Sequence, residues 1–241
     1  ARGYASTGEF LLAPPPDRPG CVILDLRMPG PSGLDLQAAL QQRGIGLAGG
    51  STPMAAYADF AASGMPWQKL KLALIDERHV PLSDNRSNET HIAAAFSSVK
   101  NRLAVWQGLY RDSDGIAACA TAADEALQRF GLPFDVTVVG MGSDGHIASL
   151  FADSPDYAAA MDPDARRTVV PIRFPSEQGL PGRLSMSLPA LLQTRHVLFC
   201  ITGDDKRDVL QRSLDGSAPH YAAARFLAAY QGPVDIYWSP A

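Results

Sequence analysis

The chain has 241 residues, 46% of them hydrophobic and 19% charged, with 21 Lys+Arg against 25 Asp+Glu. The apolar share is too high for a disordered chain, and the length allows one large domain or two small ones. A net charge of −4 excludes the broad basic surface that nucleic acid usually requires, so any bound anion must be held by a local cluster of donors.

In chain order, residues 13–20 form a Pro-rich break that reads as a loop. Residues 22–26 read as a buried strand, and residues 34–42 as a helix stopped by Gly44. A short apolar stretch at 45–48 leads into GGSTP and a helical pattern over 54–62. Residues 70–75 predict a strand, 88–95 a helix, and 120–130 a helix ended by Gly131. The β-branched run 134–139 predicts a strand that ends at Gly140. Residues 153–182 are rich in proline and read as a long surface excursion, a candidate cover for a site. Residues 196–202 predict a strand, 205–213 a helix and 234–238 a last strand. Strand, glycine and helix recur in that order. The expectation is an α/β fold, Rossmann-like, with a mostly parallel sheet and helices on both faces. Ligands in such sheets sit at the carboxyl ends of strands, so functional residues are sought there.

Four strand ends carry chemistry. In Gly49-Gly50-Ser51-Thr52-Pro53, two glycines admit a ligand close to the backbone, two hydroxyls donate, and a helix start adds free N–H groups. That is a phosphate cradle, or an ordinary turn with a Ser or Thr N-cap. Asp76-Glu77-Arg78 follows the next strand, and Arg78 suits bidentate contact with phosphate oxygens. Asp76 and Glu77 either orient Arg78 or are solvated turn residues. Asn88 is a binding candidate whose bland reading is a helix N-cap. Gly140 to Phe151, GMGSDGHIASLF, presents Asp144 and His146 after a strand. Histidine titrates near neutrality and suits general-base work, with Asp144 fixing the imidazole or touching substrate. Lys206, in GDDK, lies in the first turn of a helix, where a cation opposes the dipole and a bound anion would resolve the conflict. In RLSMSLP, Arg183 is placed toward a ligand while Leu184, Met186 and Leu188 look core-facing.

Cys21, Cys119 and Cys200 form no CxxC pair and read as small buried hydrophobes in a reducing compartment. His79, His91, His196 and His220 show no metal-ligand spacing, so no metal is expected. No apolar run is long enough to span a membrane, and no signal-peptide pattern is seen. The expectation is a cytoplasmic protein, monomer or weak dimer, with a small-molecule partner, and with neither nucleic acid nor membrane.

Together, GGSTP, DERHVPLSDNRSN, GMGSDGHIASLF, RLSMSLP and GDDK, in this order from about residue 47 to the end, resemble the 6-phosphogluconolactonases. The related glucosamine-6-phosphate isomerase/deaminases typically carry Tyr where Arg78 stands, and a different continuation after HIA. The resemblance implies their shared fold and cofactor-free hydrolysis of 6-phospho-D-glucono-1,5-lactone in the oxidative pentose phosphate pathway. It implies His146 as general base, with Asp144 beside it. The phosphate would lie on Gly49, Gly50, Ser51 and Thr52, neutralised by Arg78 and Lys206, with Asn88 and Arg183 as further binding residues. Amides of the Gly-rich turn would stabilise the oxyanion. A deaminase-like enzyme and a non-catalytic sugar-phosphate sensor are the alternatives.

Residues 4–46 instead resemble the middle of a response-regulator receiver domain, with Asp25 at the phosphoacceptor position. No acidic pair is found in the 24 residues before Asp25, so a working phosphorelay site is not expected. The chain is therefore divided into a receiver-like segment, 1–46, packed into the same domain, and a lactonase-like segment, 47–241.

Overall fold

The structure is a computed structural model that describes residues 21–24, 43–174 and 179–240. The proline run at 13–20, Asp25 and the expected helix at 34–42 lie outside the described residues.

Seven strands form the main sheet: β1 (Cys21–Leu24), β2 (Arg43–Leu47), β3 (Leu70–Leu74), β5 (Val105–Gln107), β6 (Val136–Gly140), β9 (Val197–Thr202) and β10 (Val234–Ser239). Their order is β1-β10-β9-β6-β2-β3-β5 and every neighbouring pair is parallel. Parallel strands need crossovers, and a sheet covered on both faces needs apolar residues at successive positions. Val136, Thr137, Val138 and Val139 are all buried, as are Val197 to Ile201. The core runs along the sheet through Leu47, Leu72, Leu74, Ile75, Val139 and Phe199.

Most expected elements appear close to their places. The helix after GGSTP is α1 (Met54–Ala61), the next is α2 (Asn88–Ala95), and the long one is α3 (Ile116–Phe130), capped by Gly131. The strand at 70–75 continues, after Ile75, straight into β4 (Asp76–Arg78). Gly44 corrects the expectation that it ends a helix: it belongs to β2. Its N–H donates to the Asp135 carboxylate at 3.0 Å, and a Cβ there would stand 3.1 Å from the Phe130 ring. Residues 46 and 47 are neighbours within β2, so the two segments distinguished in the sequence meet inside one strand.

The 153–182 segment is not only a surface excursion. It contributes the short helix α4 (Tyr157–Ala160) and β7 (Val169–Ile172). β7 pairs antiparallel with β8 (Arg183–Met186), and β8 pairs antiparallel with β4, giving a second sheet ordered β4-β8-β7. Ala160, Met161, Val169 and Ile172 are buried. The buried Asp124 carboxylate of α3 accepts the N–H groups of Thr168 (2.6 Å) and Val169 (3.0 Å), tying the small sheet to the helix.

The strand order fixes where a ligand belongs. From β2 the chain winds outward through β3 to β5. It then returns to β6 on the other side of β2 and winds the opposite way through β9 to β10. Right-handed crossovers in opposite directions put helices on opposite faces, and the strand ends part where the direction reverses. That switch point lies between β2 and β6.

Candidate active site

At the carboxyl ends of β2 and β6 a cleft of about 330 Å³ opens. It is lined by Gly49, Gly50, Ser51, Thr52, Arg78, Asn88, His146, Arg183 and Lys206, among others. Nine of the ten residues singled out in the sequence therefore meet there. The tenth, Asp144, stands behind His146 and bonds to it.

The cradle after β2 keeps its donors. Helix α1 has Pro53 at its N-cap and no side chain capping it, and no acidic residue in its first turn. The Ser or Thr N-cap reading is thus corrected: Ser51 and Thr52 do not spend their hydroxyls on the helix. Gly50 has φ +90°, a conformation open mainly to glycine. A Cβ on Gly49 would fall 2.1 Å from the Asn88 amide, so glycine there lets the cradle and α2 approach.

Asn88 is the first residue of α2 rather than its cap. Ser87 is the N-cap, accepting from the Thr90 N–H at 3.2 Å. The Asn88 side chain donates to the Asp76 carbonyl at 3.1 Å and accepts from Arg78 Nη1. Both its polar ends hold protein atoms, so it presents Arg78 to the cleft. Glu77 is fully buried and neither solvated nor turned to the cleft. Its carboxylate accepts the N–H groups of Arg78, Asn88 and Glu89 and the Ser87 hydroxyl, at 2.6–3.1 Å. Burial pushes its carboxyl upward, partly offset by those N–H groups.

Arg78 and Arg183 are paired across β4 and β8. Residues opposite each other in an antiparallel pair share a face, and like charges so placed repel. Burial and the neighbouring Arg78 charge lower the Arg183 pKa below the usual arginine value. The Nε atoms of both arginines are buried without a hydrogen-bond partner among the described residues. Lys206, in the first turn of α6 (Asp204–Leu214), adds a third cation to the lining. A half-buried concentration of positive charge with idle donors can hold an anion.

His146 stands across the same cleft on the turn after β6. Gly145 takes φ +77°, and its carbonyl accepts from Ala223 at the start of α7 (Ala222–Ala229), at 3.0 Å. His146 Nδ1 lies 2.5 Å from Asp144 Oδ1. Burial raises the Asp144 pKa, but the hydrogen bond and charge of His146 outweigh it and hold the carboxyl below its ordinary value. With Nδ1 engaged, Nε2 has no partner among the described residues and belongs to the cleft. A Cβ on Gly142 would collide with the imidazole at 2.2 Å, so this glycine makes room for the pair. The amides expected to form an oxyanion hole are partly spent: Gly142 donates to the His146 carbonyl and Gly145 to the Gly142 carbonyl, each at 3.0 Å.

Sequence reasoning missed Ser149 and gave Asp76 too little. Both are buried and line the cleft, and Ser149 Oγ donates to Asp76 Oδ2 at 2.7 Å. Residues 73 positions apart leave no local pattern by which such a pair is found. Phe151 was quoted only as part of a motif, yet its ring lies 4.0 Å from that of His146, centre to centre.

Comparison with known proteins agrees with this fold. The sequence model for glucosamine-6-phosphate isomerases/6-phosphogluconolactonase matches residues 34–238. A 6-phosphogluconolactonase of Mesorhizobium japonicum is 34% identical over 228 residues, 93% of either chain. One from Pseudomonas putida is 35% identical over 210 residues, 85% of this chain and 84% of its own. A crystal structure of a 6-phosphogluconolactonase from Shewanella baltica superposes with a TM-score of 0.78 at 26% identity, over 93% of this chain and 99% of that one. A monomeric glucosamine-6-phosphate deaminase shares the fold, with a TM-score of 0.68 at 17% identity.

Proposed function

The chain belongs to the glucosamine-6-phosphate isomerase/6-phosphogluconolactonase family, and from that premise we propose how its cleft carries out lactone hydrolysis. The activity is conversion of 6-phospho-D-glucono-1,5-lactone to 6-phospho-D-gluconate, a step of the pentose phosphate pathway. The observation that carries the assignment of roles is the sharing of one cleft by an Asp144-oriented imidazole and three cations.

The 6-phosphate rests on the cradle of Gly49 to Thr52, with Arg78, Arg183 and Lys206 neutralising it. Asn88 acts by holding Arg78. The lactone carbonyl then faces His146. Nε2 of the imidazole takes a proton from water as the water oxygen adds to the carbonyl carbon. The tetrahedral adduct collapses with cleavage of the bond to the ring oxygen, which takes the proton back from the imidazolium. Asp144 keeps Nδ1–H pointed at itself and stabilises the positive ring. An ester of this kind is already activated, so the step needs neither metal nor cofactor.

The same reading keeps residues 1–46 in the lactonase domain, supported by the pairing of β1 with β10 in the main sheet. It places the protein in a reducing compartment, supported by the free, buried Cys119 and Cys200. Among the described residues no helix is long and apolar enough to cross a membrane. The test is hydrolysis of the phosphorylated lactone above its spontaneous rate, by the wild type and by His146→Ala. A folded His146→Ala protein with full activity overturns the role of His146. Binding of 6-phosphogluconate without turnover by the wild type points to a sensor.

A further inference from the structure

Three groups fix the His146 ring, and only one is a hydrogen bond. Asp144 holds Nδ1, and Gly142 leaves the space that the imidazole and carboxylate fill. The third is Phe151, whose ring centre lies 4.0 Å from that of the imidazole, with 33° between the planes. This is close, tilted contact of the imidazole with the face of the phenyl ring. The hydrogen bond to Asp144 restrains one end of the imidazole and leaves the ring free to rock about that bond. A flat surface against its face removes that freedom.

The chain is shaped to deliver this contact. Ala148 takes φ +47°, an unusual conformation for a residue with a side chain. Leu150 donates to the Ile147 carbonyl at 2.9 Å, closing a turn. Ile147 and Leu150 are fully buried by it, while His146 and Phe151 both line the cleft. Phe174 supports the Phe151 ring edge-on, 5.1 Å between centres at 68°. The Arg183 guanidinium lies 5.8 Å from the Phe151 ring centre and 5.9 Å from that of Phe174. Phe151 thus stands in contact with both the general base and an arginine of the anion site.

We propose that Phe151 is a positioning residue for His146: its ring face holds the imidazole so that Nε2 meets the attacking water. The proposal rests on His146 as general base. A ring face also favours the positive charge that the imidazole acquires as it takes the proton. Small misplacements of a reacting group cost rate rather than binding.

The test compares Phe151→Met, apolar and flexible with no flat face, with Phe151→Tyr, which keeps the face. Steady-state rates on the phosphorylated lactone, corrected for spontaneous hydrolysis, are measured with melting temperatures alongside. Phe151→Met is expected to lose roughly 10- to 100-fold in kcat, with KM within about twofold. Phe151→Tyr is expected to keep most of kcat. Wild-type kcat in Phe151→Met overturns the proposal, because apolar volume alone then suffices. A rise in KM at unchanged kcat also overturns it, showing that the ring serves Arg183 and the phosphate instead. Equal loss in both variants overturns it as well. Where Phe151→Met fails to fold, Phe151→Leu carries the same comparison. His146→Ala separates the two readings. If it stays active, the general-base reading fails. If it is inactive while Phe151→Met is normal, only the positioning role fails.

Discussion

Arg78 and Arg183 face each other across β4 and β8, charge against like charge, each with a buried Nε that has no partner among the described residues. Like charges so placed repel, and a dianion bound by both guanidinium groups, as proposed for the 6-phosphate, would relieve that repulsion. A charge-assisted hydrogen bond contributes about 1.5–3 kcal/mol. Arg183→Gln is therefore expected to raise KM for the phosphorylated lactone by roughly 10- to 100-fold, with a much smaller effect on unphosphorylated gluconolactone. Inorganic phosphate should raise the melting temperature of the wild type more than that of the variant. Equal KM effects on both substrates refute phosphate contact.

Gly49→Ala tests the cradle without altering any charge. The added Cβ would fall 2.1 Å from the Asn88 amide carbon, and Asn88 Oδ1 shares the hold on Arg78 Nη1 with the Arg86 carbonyl. The amide must move, and Arg78 moves with it. KM for the phosphorylated lactone is expected to rise at least about tenfold, the loss of one positioned contact to a charged group, with the far-ultraviolet circular dichroism unchanged. An unaltered KM shows that the cradle tolerates the displacement.

Asp144→Asn separates orientation of the imidazole from its presence. The amide has nearly the shape of the carboxylate but removes the charge and can present N–H to Nδ1, favouring the wrong tautomer. The expected loss in kcat is on the order of 10²- to 10⁴-fold, with little change in KM. The sign of the pH effect follows from the lowered Asp144 pKa. The carboxyl stays ionised above about pH 4, the ordinary aspartate range, so its own titration does not limit the wild type between pH 5 and 8. A wild-type rate in Asp144→Asn refutes the pairing as part of the mechanism.

The parts legible in the sequence were those with local patterns. The β-branched run at Val136 to Val139 and the glycines after it announced a buried strand and a turn, and both Asp144 and His146 followed at once. The small sheet was illegible for a physical reason. β4 is Asp-Glu-Arg, which reads as a polar turn because only tertiary contacts show that Asp76 and Glu77 are buried. β7 contains Pro171, which local rules confine to an edge, and the edge of the small sheet is where it stands. Glu77 was hard to read for the same reason: a carboxylate that accepts N–H groups from Arg78, Asn88 and Glu89, on two separate segments, is defined by the fold around it. The contact of His146 with Phe151 needed the turn at Ala148, which no propensity foretells.

Asp156 and Arg173 offer a stability test beside the site. Asp156 precedes α4, and Arg173 stands directly before Phe174, which backs Phe151. The carboxylate accepts the Arg173 backbone N–H at 2.8 Å, Nε at 3.0 Å and Nη2 at 2.5 Å. The Arg173 hydrogen bonds hold the Asp156 pKa below its ordinary value, against a smaller opposing effect of burial. A carboxyl with a depressed folded-state pKa stabilises the fold above its unfolded pKa, about 3.9. That contribution disappears as pH falls through the folded value. The Arg173 side chain is 64% exposed, so solvent screening keeps the contribution of the pair small. Asp156→Asn is therefore expected to unfold at a slightly lower urea concentration than the wild type at pH 7. The difference should shrink as pH is lowered from about 4 towards 2. A gap that is constant over this range would show that the backbone N–H contact, which an amide oxygen also satisfies, carries the interaction and that the charge of Asp156 does not.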